Sequence, residues 1–357
     1  MAIEKIHIEQ FLELANHHRV IDVRSPGEYK HAHIPGAYSL PLFTDEERAA
    51  VGTAYKQESR EKAIKLGLDF FGPKMKRMVE EVEELMGNRQ QAITNNSDKN
   101  LPIANCLLLY CWRGGMRSAG VAWLMDLYGF KVYTLIGGYK KFRNHALETF
   151  KLPLQFKILG GYTGSGKTEV LKELKSNGEA VVDLEEIAKH KGSAFGNIGL
   201  PQQPTQEMFE NILALELRKS SMVNGQWSMP TPNESKNSTK TKTVADSPLT
   251  IHHSPLFIDT DMYVLKVWCE FVFGKCHHFI LDQIIERKYD LYLLCNTDLP
   301  WVKDELREYP DLETREKLFE IYKDCMINQS TPWALIGGNA EMRLKTAIQA
   351  VDGLLNP

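Results

Sequence analysis

Leu107-Leu108-Leu109-Tyr110-Cys111-Trp112-Arg113-Gly114-Gly115-Met116-Arg117-Ser118 reads as a buried strand, a glycine-containing loop and the start of a helix. This stretch decides the fold class, α/β with parallel sheets. From Cys106 to Tyr110 the run is continuously apolar rather than alternating, as expected for a strand covered on both faces. Cys111 stands where that strand ends, and in open α/β sheets ligands bind outside the carboxyl ends of strands. Val121, Leu124, Met125 and Tyr128 recur at helical spacing with Gly129 as the stop, so a helix begins near Arg117 or Ser118. Gly114 and Gly115 let successive amides curl into an anion-binding nest, and the helix start adds partial positive charge. With Arg113 and Arg117 beside it, Cys111 is expected as a nucleophile whose thiolate form is favoured, Arg113, Gly114, Gly115 and Arg117 forming its anion-binding group. The competing readings are an inert buried cysteine and, from the Cys111-x5-Arg117 spacing, a cysteine phosphatase in which the arginine grips phosphate.

With 357 residues, 43% hydrophobic and 25% charged, the chain is globular and long enough for two full cores. A formal net charge of -3 excludes a globally basic nucleic-acid binder while leaving room for a local basic face. Apolar runs are too short for a bilayer span, and Met1-Ala2-Ile3-Glu4-Lys5 opens no signal peptide, so the expected location is cytoplasmic, with no membrane partner. Six cysteines show no paired framework, which suits a reducing compartment.

Upstream, a helical stretch around Phe11 and Leu14 precedes a short strand, Val20-Ile21-Asp22-Val23-Arg24. A turn at Ser25-Pro26-Gly27-Glu28-Tyr29 and the segment His33-Ile34-Pro35-Gly36-Ala37 follow. These elements, with Cys111 on its loop, resemble the rhodanese family, whose cysteine carries sulfur or selenium. Asp22, Arg24 and Glu28 read as internally paired scaffold. Residues 44–86 form a charged helical insertion absent from a minimal rhodanese. That insertion, the cysteine loop and Leu135-Ile136-Gly137-Gly138-Tyr139-Lys140-Lys141-Phe142-Arg143 are similar to the tRNA 2-selenouridine synthase family, in which a P-loop domain follows the rhodanese domain.

Phe156-Lys157-Ile158-Leu159-Gly160 then reads as a strand ahead of Gly161-Tyr162-Thr163-Gly164-Ser165-Gly166-Lys167-Thr168, a P-loop in strand-loop-helix context. Gly161, Gly164, Ser165 and Gly166 would cradle phosphates, Lys167 would reach the outer ones, and the Thr168 hydroxyl could ligate Mg²⁺. Ala180 to Glu185 is a second strand with an acidic end, and the selenouridine synthase resemblance runs to about Arg218. Residues 223–254, rich in Ser, Thr, Asn, Pro and Lys, are expected as a disordered linker.

From 255 on, Leu256-Phe257-Ile258-Asp259-Thr260-Asp261, the strand near Tyr289 to Cys295 and Trp333-Ala334-Leu335-Ile336 resemble the ribosylnicotinamide kinases and related P-loop ATPases. The resemblance implies Asp259 or Asp261 as a Walker B-type carboxylate and Arg307, with Arg315, in a lid. Cys269, Cys276, His277 and His278 fit no zinc spacing and read as a packed helix. The expected organisation is a rhodanese-like domain (1–145), a P-loop half (146–222), the linker, and a Walker B and lid half (255–357).

The resemblance implies a transferase that replaces the 2-thio group of a wobble uridine in tRNA with selenium. Selenophosphate, supplied by a selenophosphate-producing enzyme, would be the donor, Cys111 the carrier, and a geranylated thiouridine the intermediate. Geranyl diphosphate or Mg-ATP would occupy the P-loop. Lys140, Lys141 and Arg143, with Lys151 and Lys157, form a locally basic stretch and are the candidate tRNA contacts. Two alternatives stay open, a small-molecule kinase with an appended rhodanese domain and a nucleotide- or tRNA-binding module without catalysis.

Overall fold

The computed structural model describes residues 3–94, 106–190, 199–220, 256–299 and 311–355. They form two compact units, one of Met1–Lys151 with Thr205–Ala214 and one of Leu152–Pro204 with Leu215–Pro357. The linker at 223–254, Arg307 and the Trp301 to Asp304 stretch lie outside the described residues.

The first unit runs β1 (Glu4–Ile6), α1 (Ile8–Ala15), β2 (Arg19–Asp22), α2 (Pro26–His31), β3 (Tyr38–Ser39), α3 (Asp45–Gln57), α4 (Arg60–Phe71), α5 (Met75–Thr94), β4 (Cys106–Tyr110), α6 (Met116–Tyr128), β5 (Lys131–Leu135) and α7 (Gly138–Thr149). Its sheet is fully parallel with order β1-β5-β4-β2-β3. All five residues of β4 are buried, as its unbroken apolar run requires of a central parallel strand. Behind it Leu107, Leu109, Val121 and Met125 share a core with Phe71, Met78 and Val82 of the insertion. The charged insertion therefore packs as part of this unit, and its helical structure continues to Thr94 rather than stopping at 86. Local chemistry sets its starts: Thr44 caps α3 in a reciprocal box with Glu47, and Ser59 accepts the Lys62 N–H. Helix α6 begins one residue before the expected start and ends at Gly129, whose φ is 111°. Tyr128, read as part of its apolar face, is instead 51% exposed.

The second unit contains β6 (Phe156–Gly160), α8 (Lys167–Ser176), β7 (Ala180–Val182), α9 (Leu184–Ala188), α10 (Gln206–Ser220), β8 (Leu256–Ile258), α11 (Met262–Phe273), α12 (His278–Glu286), β9 (Leu291–Cys295), α13 (Leu312–Ile327), β10 (Trp333–Ile336) and α14 (Ala340–Leu355), of which the first part of α10 counts with the first unit. Its parallel sheet has the order β10-β9-β6-β8-β7. The P-loop strand β6 thus lies between β8 and β9, with Phe156 opposite Leu256 and Lys157 opposite both Phe257 and Leu291. The Walker A half and the later half complete one sheet. Leu159, Leu171, Phe257, Leu293 and Ile336 fill one core. Lys157, read as part of a basic face, is instead 4% exposed in this sheet, and burial pulls its pKa down.

Candidate functional site

In the first unit β4 delivers Cys111 into a loop that closes on its sulfur. The Gly115 N–H donates to Cys111 Sγ at 3.3 Å, and Ser118 Oγ lies 3.2 Å from it. Ser118 Oγ also donates to the Gly115 carbonyl at 3.1 Å. A thiol can therefore donate to Ser118, whereas a thiolate is matched when the hydroxyl turns onto the sulfur. The loop is fixed from behind by α7, where the Tyr139 and Lys140 N–H groups donate to the Cys111 and Trp112 carbonyls at 2.8 and 3.0 Å. That approach requires Gly138, which has φ 57° and whose Cβ, if present, would lie 2.1 Å from the Cys111 carbonyl oxygen.

Beneath the loop is the expected scaffold. Arg24 and Asp22 are buried at 1% and 0% exposure and paired at 2.6 Å. Tyr110 Oη donates to Asp22 Oδ2 at 2.7 Å, and the Arg24 guanidinium lies 3.9 Å from the Tyr139 ring centroid. Arg117 departs from its expected role as a free anion-binding cation: its Nη1 donates to Glu28 Oε2 at 2.7 Å, and Arg48 reaches the same oxygen at 3.1 Å. Burial raises the Glu28 pKa, but hydrogen bonding and charge from Arg117 outweigh it and leave the carboxyl below its ordinary range. Glu28 so takes the carboxylate place that the phosphatase spacing would leave to phosphate. Arg113 is exposed. A cavity of about 720 Å³ opens beside the loop, lined by Phe43, Val51, Ile64, Phe71, Met116 and Trp123, with Arg48 and Arg117 also in its wall.

Of the basic stretch, Lys140 and Lys141 are exposed. Arg143 is instead engaged within the first unit, paired with Glu210 and donating to Asn211 Oδ1 at 3.0 Å. Lys151 meets Glu148 at 2.8 Å.

In the second unit the P-loop joins β6 to α8, with Gly166, at φ 84°, preceding the helix. Lys167 Nζ donates to the carbonyls of Gly161 and Tyr162 at 3.0 and 3.2 Å. The loop is braced by Arg343 of α14, 1% exposed, which donates to the carbonyls of Ser165 and Gly338 at 2.8 Å, to that of Asn296 at 3.2 Å, and to Asp298. No local pattern marked Arg343 in the sequence. Gly161 and Gly164 hold the turn at φ 132° and 85°, and Ser165 is buried.

The two candidate Walker B carboxylates, both buried, have different partners. Asp261 caps α11, accepting from the Val264 N–H at 3.1 Å and from Tyr292 Oη at 3.2 Å. Burial raises its pKa to about 6. Asp259 accepts from the Leu184 and Glu185 N–H groups at 2.8 and 3.2 Å, at the start of α9. Burial, with the nearby charges of Asp183 and Glu185, pushes its pKa up. Glu185 is also raised by burial and feels the Lys167 charge in the opposite sense. Asp183, Glu185 and Asp259 thus influence one another electrostatically, with Lys167 acting on Glu185 in the opposite sense. Among the described residues no group of three or more His, Cys, Asp or Glu gathers to hold a metal ion. Arg315, assigned to a lid, is buried in α13 and donates to the Thr297 carbonyl at 3.4 Å.

Three family models match successive parts of the chain: the Rhodanese-like domain over residues 7–145, the tRNA 2-selenouridine synthase AAA domain over 154–240, and the AAA domain over 243–343. The second match passes Arg218, where the sequence resemblance was expected to end. The tRNA 2-selenouridine synthase of Nitrosomonas europaea is 39% identical over 225 residues, covering 62% of this chain and 54% of that protein. The enzyme of the same name from Bdellovibrio bacteriovorus is 39% identical over 222 residues, covering 61% and 54%. The one from Sulfurovum sp. is 41% identical over 206 residues, covering 57% and 51%. The chain spans about half the length of the curated relatives it matches. It carries a rhodanese-like domain, a P-loop region similar to that of the tRNA 2-selenouridine synthases, and a further AAA-type stretch that completes the P-loop sheet.

Proposed function

We propose that this protein is a tRNA-modifying transferase that replaces the sulfur of a wobble 2-thiouridine by selenium. The observation that carries the reading is the seating of Cys111, with an amide and a hydroxyl converging on its sulfur at the end of a central parallel strand. In this reading selenophosphate is the donor and Cys111 the thiol of the exchange site, selenium staying at the selenide level throughout and the phosphoryl group passing to water as phosphate. The thiouridine sulfur displaces pyrophosphate from C1 of geranyl diphosphate, and the prenylated sulfur later leaves C2 as a thiol when selenium replaces it. The apolar cavity in the first unit suits the prenyl chain of a geranylated base, and, independently, the P-loop of the second unit suits a pyrophosphate. The chain would act on tRNA with a selenophosphate-producing enzyme upstream. No helix among the described residues is long and apolar enough to cross a membrane, in keeping with a cytoplasmic setting.

Mass spectrometry of nucleosides from 2-thiouridine tRNA incubated with the full chain, selenophosphate and geranyl diphosphate tests this. Selenouridine should form with the native protein and not with Cys111→Ser. Unaltered thiouridine in both samples would overturn it.

A second reading is favoured by one feature, the pairing of β8 with β6, which brings Asp259 into the P-loop unit as a kinase site requires. Under it, Mg-ATP binds the second unit and ribosylnicotinamide is phosphorylated. Calorimetry with Mg-ATP and with geranyl diphosphate distinguishes the two, and Lys167→Ala and Asp259→Asn should each weaken the nucleotide by roughly tenfold or more, about 1.4 kcal/mol.

A further inference from the structure

Trp112 directly follows the nucleophile of this reading and is 38% exposed. Its surroundings hold it there. The carbonyls on either side of its N–Cα–C unit, those of Cys111 and Trp112, accept from Tyr139 and Lys140 of α7, so its backbone cannot swing. Its ring leans on Tyr139 with centroids 5.6 Å apart and planes at 36°, and the Arg24 guanidinium lies 6.0 Å from its centroid. Tyr139 is itself buried at 1% exposure. The indole is thus a preorganised aromatic surface with one side supported and part of it open to solvent. Arg113, its neighbour, and Lys140, bonded to its carbonyl, are both exposed.

An aromatic surface flanked by cations is the recipe by which proteins hold single-stranded nucleic acid: the ring stacks a base and the charges meet phosphates. Chemistry at C2 of a pyrimidine also demands that the base leave its neighbours in the anticodon loop and sit within reach of Cys111. The stacking lost on extrusion has to be replaced by protein. Adjacent Cα atoms are about 3.8 Å apart, so Trp112 and Cys111 belong to the same short loop, the indole resting on Tyr139 and the sulfur meeting Gly115 and Ser118.

We propose that Trp112 is a positioning residue that stacks on the target nucleobase and presents it to Cys111, with Arg113 and Lys140 neutralising the adjoining phosphates. This rests on the tRNA-modifying reading above and adds to it the surface that receives the base.

The test uses the full chain and two single-stranded anticodon-loop oligonucleotides, one carrying 2-thiouridine and one abasic at that position, with binding followed by fluorescence anisotropy. Trp112→Ala should weaken the thiouridine oligonucleotide roughly 5- to 100-fold, the range of one base-aromatic stack. It should leave the abasic one unchanged. Trp112→Phe, which keeps a stacking face, should restore affinity to within about threefold of the native value. Iodoacetamide alkylation of Cys111 without RNA should proceed at the same rate in all three proteins, which shows that the loop is intact. Equal losses for both oligonucleotides, no loss for Trp112→Ala, failure of Trp112→Phe to rescue, or a changed alkylation rate would each overturn the proposal. If the native protein binds neither oligonucleotide, the tRNA reading itself falls and this assignment with it. If it binds both equally, the tRNA reading stands and the stacking role alone is refuted.

Discussion

Cys111 and Lys167 each follow the central strand of a five-stranded parallel sheet through a glycine-bearing loop into a helix, yet the groups that fix them come from different distances along the chain. The sulfur of Cys111 is met by Gly115 and Ser118, four and seven residues on, and its loop is pinned by α7 shortly after. The P-loop is braced at Ser165 by Arg343, 178 residues later, and its sheet needs β8 and β9 on either side. The first contacts of the Cys111 sulfur are therefore local, although Arg117 at the start of α6 pairs with Glu28, 89 residues earlier, whereas the P-loop backbone takes its brace at Ser165 from 178 residues later.

The largest test of that contrast is Arg343→Met. It leaves the carbonyls of Ser165, Gly338 and Asn296 without this donor and Asp298 without its cation. Breaking a buried charged group in this way should cost the second unit roughly 3–5 kcal/mol. Urea unfolding and limited proteolysis within 152–204 should register the loss, while alkylation of Cys111 keeps its native rate. A parallel fall in alkylation would show that the two loops are not independent.

Next in size is Glu28→Gln, which removes the carboxylate shared by Arg117 and Arg48 and should destabilise the first unit by about 1–3 kcal/mol at neutral pH. The sign with pH follows from the depressed carboxyl. Its folded pKa lies below the unfolded one, so the unfolded chain binds more protons in acid. The contribution is present above the ordinary carboxylate range and is lost as pH falls through the folded value. The gap between native and variant urea midpoints should therefore narrow in acid, and a gap independent of pH would contradict the ion-pair assignment.

Ser118→Ala sharpens the local half of the comparison, since it removes one of the two polar groups that meet the Cys111 sulfur. Alkylation near neutral pH should slow by roughly 2- to 10-fold, the value of one hydrogen bond. Cys111 should still outpace the other cysteines. Smallest is Lys141→Gln, which should lower the slope of log affinity for tRNA against log salt by about 0.7 to 0.9 if that exposed cation meets one phosphate. An unchanged slope removes Lys141 from the interface.

The features legible in the sequence share a physical origin. Unbroken apolar runs, such as Cys106 to Tyr110 and Leu291 to Cys295, mark strands buried on both faces, and both became fully buried strands. Gly129 ends α6 as its pattern announced. The two glycine loops were readable because a tight strand-to-helix turn needs its glycines within a few consecutive residues. Lys157 was misread because a charge in a short segment carries no sign of whether the strand around it is covered, and here Phe257 of β8 lies 5.8 Å from its amine. The pairing of Arg117 and Arg143 was illegible for a related reason, since their carboxylate partners, Glu28 and Glu210, are 89 and 67 residues away.

The sequence by itself determined the fold class and the positions of the two glycine loops, with Cys111 and Lys167 as their candidate functional residues, because periodicity, glycine and local spacing act over a few residues. Only the tertiary structure decided that the two P-loop segments complete one sheet, that Asp259 accepts from the start of α9 while Asp261 caps α11, and that Arg343 braces the loop. It also decided which cations stay exposed. Strand pairing and buried charge compensation join residues far apart in the chain, and their selection depends on which surfaces the folded sheet brings together.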